Sequence, residues 1–151
     1  MLGKRYLVIF ALIALLLISL PYLTGFQADS SQEQFGGFLI NPVDGHSYLA
    51  KMQQGIEGDW KFQLPYTSEP GEGAYLFLFY LGLGHLSRLV GISPLYVFHG
   101  ARFLASLWLI LVIYQMLQAL FSEEKAIKTG LLLTLFGSGL GWLAVLAGGF
   151  T

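Results

Sequence analysis

The chain has 151 residues, of which 55% are hydrophobic and only 11% are charged, and its mean hydropathy is +0.64. Because the surface of a soluble domain needs about a quarter of its residues charged, this composition excludes an ordinary soluble protein and indicates a membrane protein whose partner is the lipid bilayer. The net charge of −1 and the absence of a basic cluster lead us to expect no nucleic-acid partner. The chain has no cysteine, which excludes a disulfide framework and a thiolate metal site.

Four apolar runs predict an all-α membrane protein with about four transmembrane helices, because a helix of about 20 apolar residues crosses about 30 Å of hydrocarbon. The runs cover residues 6–24, 74–90, 94–121 and 129–150. Lys4 and Arg5, ahead of the first run, place the N-terminus in the cytoplasm of a multi-pass plasma-membrane protein. A cleaved signal peptide is the alternative, but the apolar part is long for one and lacks a convincing small-residue cleavage site.

The segment 25–73 is acidic, with seven carboxylate residues and two lysines, and we expect it to form an external loop. A juxtamembrane amphipathic helix is predicted within this loop, from Asp44 to about Gln54. Tyr48 and Met52 lie at helical spacing along one face of that helix.

The third run is predicted to begin at a tight turn on the cytoplasmic side. Ser93 and Pro94 suit the N-cap and first position of a helix. The run 94–121 would then lead outward to a short charged external loop at 122–128, and the run 129–150 would return.

Three polar residues of the external segment are candidates for chemistry. Asp44, at the start of a helix just outside the bilayer, can act as a general base or as a ligand for a divalent cation; the alternative is a helix cap. His46 can bind a phosphate or a metal, or can simply be a solvated histidine. Glu69, next to Pro70, is a second carboxylate at the same interface, or a solvated loop acid.

Arg102 is a charged residue within the apolar run 94–121, where a cation is energetically unfavourable unless it has a polar partner. It follows Pro94 by eight residues, about 12 Å along a helix, which is too deep for contact with lipid. His99 lies on the same helical face, so the two suit an anionic head group or a partner carboxylate. The alternative is a structural hydrogen bond between helices.

The order of these features resembles the N-terminal part of the GT-C glycosyltransferase superfamily. In that family a first span leads to an external helix with the pattern D-E-x-x-Y-x-x-x-A, followed by G-D-W. The corresponding residues are Asp44, Tyr48 and Gly58-Asp59-Trp60. A Glu-Pro pair before the second span and an arginine early in the third are matched by Glu69-Pro70 and Arg102.

The resemblance implies an integral membrane enzyme that transfers a sugar from a polyprenyl-phosphate donor to an acceptor at the external membrane face. Family enzymes are several times longer, so residues 1–151 would be the N-terminal part of a polytopic domain, without a complete active site. Gly45 replaces the second acid of the family pair, which leaves a divalent-cation cofactor open. The implied residues are Asp44 and Glu69 for catalysis, His46, Tyr48, His99 and Arg102 for substrate binding, and Asp44 for a metal.

A noncatalytic role is the alternative to this enzyme. In a small polytopic transporter subunit or scaffold, Asp44 would cap a helix and Arg102 would pair between spans. Transporters often contain internal repeats. The pattern of residues 41–60 has no second copy in the chain, which favours the enzyme.

Overall fold

The computed structural model describes residues 4–27, 34–69 and 71–137. The described chain forms five α-helices, and the backbones of Phe62 and Ala74 pair in one isolated antiparallel bridge. The all-α class is therefore confirmed for these residues. The helices in chain order are α1 (Lys4–Gln27), α2 (Pro42–Glu57), α3 (Leu78–Val90), α4 (Pro94–Leu120) and α5 (Glu124–Phe136).

Two of these helices, α1 and α4, are long and apolar enough to cross a membrane. Their 24 and 27 residues correspond to about 36 and 40 Å, against a hydrocarbon thickness of about 30 Å. α4 begins as predicted, because the carbonyl of Ser93 accepts hydrogen bonds from the backbone N–H groups of Tyr96 and Val97. The first and third predicted runs are thus long helices.

The apolar surfaces of α1 and α4 are mostly exposed within the chain. In the most apolar 18-residue stretch of each helix, only 22% of the residues of α1 and 11% of those of α4 are buried. Leu12 and Leu16 on α1, and Leu104 and Trp108 on α4, are each more than 60% exposed. The core helix of a soluble protein would be buried, so this surface suits contact with lipid.

The predicted second and fourth spans are not confirmed. α3 has 13 residues, about 20 Å, which is too short to cross the hydrocarbon layer. It starts at Leu78 rather than at 74, because Ala74 pairs with Phe62 and Phe77 adopts a left-handed conformation with φ 54°. α5 begins inside the segment 122–128, which was predicted to be a loop, and most of the predicted fourth span lies outside the described residues.

The chain divides into two compact units, 1–18 with 104–151, and 19–103. In the first unit, buried side chains of α1, α4 and α5 form the core: Phe10, Ile113, Leu117, Ile127 and Leu131. Lys128 pairs with Glu124 at 2.8 Å, and its Nζ lies 4.9 Å from the ring centre of Tyr6. The hydrogen bond from Lys128 lowers the pKa of Glu124. These contacts bring the first turn of α5 to the start of α1.

In the second unit, α2 and α3 cross at very close range. A Cβ added to Gly55 would overlap the carbonyl group of Leu81, and one added to Gly84 would overlap that of Met52. Met52 and Leu81 are fully buried beside this crossing. The helix predicted from Asp44 is present as α2 and exceeds the predicted range at both ends.

The second unit also joins the C-terminal end of α1 to the N-terminal end of α4. Tyr22 lies 5.1 Å from His99, and Phe26 lies 6.0 Å from Tyr96, between ring centres. The C-terminal end of α1 and the N-terminal end of α4 therefore lie next to each other in this unit. The cytoplasmic side of the turn before Pro94 stays a prediction, while the second span that should lead to it is not confirmed.

Candidate functional site

A cluster of rings holds together the ends of α1 and α4 and the segment that precedes α2. We call it the aromatic cluster, and its ring centres lie between 5.1 and 6.0 Å from the ring of His99. Its members are Tyr22, Phe26, Phe38, Phe98 and His99.

His99 is half-buried in the centre of the aromatic cluster. Its Nε2 lies 2.9 Å from the carbonyl oxygen of Gly37. Because a carbonyl oxygen can only accept, Nε2 carries the hydrogen and donates it. Nδ1 is buried and has no hydrogen-bond partner in the described part of the chain. His99 can therefore donate to a phosphate through Nδ1 only when the ring is protonated.

Arg102 lies one helical turn after His99 and is also half-buried. Its guanidinium carbon lies 3.8 Å from the centre of the Tyr22 ring, a cation–π contact. The ring of Tyr22 therefore lies against the guanidinium group. Arg102 thus lies in the half of α4 nearest Pro94, at the end where α1 meets α4.

Asp44 lies in the first turn of α2, and it does not take its alternative role as the N-cap. Asn41 occupies that position with φ 50°, and its side-chain amide donates a hydrogen bond to Oδ2 of Asp44. The carboxylate is exposed, and it faces the positive end of the helix dipole. Pro42 at the helix start shows why the cap moved, since proline favours the first helical positions.

Two further predicted residues of α2 contact the aromatic cluster. The exposed ring of His46 lies 5.7 Å from Phe38, the same distance that separates Phe38 from His99. Tyr48 lies 6.0 Å from Phe98 and stacks on Tyr80 at 4.7 Å with an angle of 5°. The aromatic cluster thus connects four of the six predicted site residues, namely His46, Tyr48, His99 and Arg102.

Glu69 is exposed, and its backbone N–H donates to Oγ1 of Thr67 at 3.2 Å. In the described ranges, its carboxylate forms no hydrogen bond or ion pair with Asp44 or with the aromatic cluster. The two predicted catalytic carboxylates are therefore not brought together by direct contact.

A divalent cation at Asp44 stays a prediction. Nowhere in them do three or more His, Asp or Glu side chains gather closely enough to hold a metal ion. Asp44 is instead engaged by the amide of Asn41. Because Mg²⁺ usually keeps several waters and is held by one or two carboxylates together with substrate phosphates, Asp44 would be one ligand among several.

The Gly58-Asp59-Trp60 turn packs against α3. The indole of Trp60 stacks on His85 at 4.0 Å, and Nε2 of His85 donates to the carbonyl oxygen of Asp59 at 3.1 Å. Gly58 ends α2 with φ 114°. This turn therefore fixes the angle at which the chain leaves α2.

Sequence reasoning missed Tyr22, Phe38 and Lys51. Tyr22 and Phe38 are aromatic residues among many, and nothing in their local pattern points to Arg102 or His99. Lys51 follows Ser47 by four residues and Tyr48 by three, so helical spacing already placed it on their face of α2. That spacing is the signal that could have found it.

Comparison of the chain with protein-family models, with curated proteins and with solved structures finds no match.

Proposed function

We propose that the chain is part of an integral membrane glycosyltransferase of GT-C type. In this proposal the enzyme transfers a sugar from a polyprenyl-phosphate donor to an acceptor at the external face of the plasma membrane. One observation supports it: the aromatic cluster contacts Arg102 through Tyr22 and contains His99, and its Phe38 also contacts His46 near the start of α2. The residues for a phosphate and for a base thus lie in the same unit of the chain.

The proposed topology places the N-terminus in the cytoplasm, since Lys4 and Arg5 precede α1. α1 then leads outward, α2 and α3 lie at the external surface, and α4 returns. Lys125 and Lys128 follow α4 on the cytoplasmic side, in agreement with the positive-inside rule. With α1 and α4 both crossing, the protein is multi-pass in this proposal, and a further span would lie within 129–150.

This topology gives the two charged candidates a common location. With Pro94 outside, Arg102 lies in the external half of α4, so its guanidinium group can meet a lipid phosphate that enters from the outer leaflet. Asp44 lies on the same side in an exposed helix turn, where it can accept a proton from an acceptor hydroxyl. Tyr48 and His46 would orient the sugar, and Glu69 would assist from the neighbouring loop.

The chemistry requires a deprotonated acceptor and a stabilised leaving phosphate. As the bond from the sugar carbon to the phosphate oxygen breaks, the bonding electrons move to that oxygen, and Arg102 stabilises the added charge. The acceptor oxygen forms the new bond to the sugar and transfers its proton to Asp44.

Asp44→Asn tests the proposal in the full-length protein. We expect turnover of lipid-linked sugar to fall by at least about a hundredfold, as general-base catalysis contributes a factor of this size. Glu57→Gln is the matched control, because Glu57 is an exposed carboxylate at the other end of α2. Wild-type turnover by Asp44→Asn would show that the catalytic assignment is wrong.

A noncatalytic scaffold is the second candidate, and one observation favours it. His99 and Arg102 both make internal contacts, with Gly37 and Tyr22, which suffice for a packing role. In a scaffold, no variant of Asp44 would alter sugar transfer, and variants of Arg102 would affect only stability.

A further inference from the structure

A groove lies between α2 and the segment that follows it, and none of its lining residues belongs to the aromatic cluster. One part has a volume of 220 Å³, and a neighbouring part of 440 Å³ shares the lining residues Phe62, Leu64 and Phe77. The lining is mainly apolar. Besides Tyr66, its polar members in the first part are Ser47, Lys51 and Gln54, which all belong to α2.

Lys51 is a half-buried cation among rings. Its Nζ lies 4.7 Å from the ring centre of Phe77, 5.3 Å from that of Tyr48 and 5.8 Å from that of Tyr80. It donates hydrogen bonds to Oγ of Ser47 at 2.6 Å and to the carbonyl oxygen of Ser47 at 3.4 Å. No carboxylate in the described part of the chain forms an ion pair with it. A partly desolvated ammonium group without a counter-ion is unfavourable, so a bound anion would stabilise it.

Ser47 extends this donor set. Its oxygen accepts from Lys51, and its own hydroxyl hydrogen can still be donated to a ligand. The ammonium group and the hydroxyl group therefore present two donors at one end of an apolar groove. A phosphate oxygen is a suitable acceptor for such a pair.

The wall of the groove opposite α2 is the segment around Gln63, and Gln54 of α2 holds that segment in place. Its side-chain amide donates to the carbonyl oxygen of Gln63 and accepts from the N–H of Gln63, both at 2.9 Å. The bridge from Phe62 to Ala74 holds the same segment from its other side. The groove walls are thus held by hydrogen bonds, which favours a preformed site.

We propose that this groove binds an anionic phospholipid of the surrounding bilayer, with the phosphate at Lys51 and Ser47 and an acyl chain along Phe62 and Leu64. Two arguments select this occupant. The polar end is cationic and the remainder is apolar, which matches an amphiphile with an anionic head. The chain also carries two helices suited to crossing a membrane, so bilayer lipid is the abundant neighbour. The proposal does not depend on glycosyl transfer.

The proposal can be tested with the full chain in phosphatidylcholine nanodiscs that contain a trace of spin-labelled phosphatidylglycerol. Its association with the protein should exceed that of spin-labelled phosphatidylcholine. Lys51→Met should reduce this preference by roughly fivefold, the effect of one surface cation. Lys51→Arg should keep it, and Lys61→Met should keep it as the matched control, because Lys61 contacts Tyr75 outside the groove.

A second variant tests the apolar part. Leu64→Asn should weaken binding of the labelled phospholipid. The side chain of Leu64 is 59% exposed, so the hydrophobic core does not depend on it. Equal loss in Lys51→Met and Lys61→Met would show that the preference is general surface attraction and would overturn the proposal. Competition by glycerol phosphate as strong as that by the whole lipid would also overturn it, since the site would then bind only the anion.

Discussion

At the scale of single residues, Arg102 shows what helical spacing can and cannot predict. Its distance from Pro94 already required a partner other than lipid. The partner found, the ring of Tyr22, belongs to another helix about 80 positions earlier in the chain, and local patterns carry no information on such a pairing. Asp44 shows the same limit, because Asn41 and Pro42 displaced it from the cap.

Tyr22→Leu should destabilise the protein by about 1–2 kcal/mol, because the guanidinium group loses its cation–π partner. Tyr22→Phe keeps the ring and should retain nearly wild-type stability. Reversible unfolding in detergent micelles, followed by circular dichroism, measures the difference. Equal stability of the two variants would contradict the importance of the ring contact.

At the scale of elements, the crossing of α2 and α3 depends on two glycines. Gly55 and Gly84 let the helix backbones approach so closely that no Cβ fits. Amphipathic spacing predicted α2, and its buried Met52 agrees with that prediction. The apolar character of 74–90 instead suggested a span, since hydrophobicity alone does not distinguish lipid contact from packing against another helix.

Gly84→Ala should destabilise the protein by about 1–3 kcal/mol, because the added methyl group overlaps the backbone of Met52. Gly82→Ala, in the same helix, is the control. A Cβ at Gly82 meets nothing within 4 Å, so this variant should be neutral or more stable by about 0.5–1 kcal/mol. Unfolding by sodium dodecyl sulfate compares the two, and similar losses in both would contradict the close crossing.

At the scale of the whole molecule, the two long helices determine how the chain can lie in a membrane. The end of α1 and the start of α4 contact each other through Tyr22 and His99. In the proposed topology, the residues between these helices therefore leave and re-enter the membrane on one side. In that topology Arg102 lies towards the side of Asp44, whereas the sequence analysis expected the third run to begin on the cytoplasmic side.

Single cysteines test this topology, because the chain has no native cysteine. Thr67→Cys and Ile92→Cys should both react with a membrane-impermeant maleimide added from outside. Ser122→Cys should react only after permeabilisation. Protection of Ile92→Cys from the external reagent would mean that α3 crosses the membrane and would restore the predicted four-span order.

The sequence by itself determined the helical class, the apolar lengths of α1 and α4, and the existence of α2, because composition and spacing are local properties. It also singled out His46, Tyr48, His99 and Arg102. Only the tertiary structure decided that these four meet around Phe38, Phe98 and Tyr22, that α3 packs on α2, and that Lys51 faces a groove. Those contacts join residues that are far apart in the sequence. The packing of the aromatic rings and the close crossing of α2 and α3 at their glycines depend on how the surfaces fit together in the folded chain.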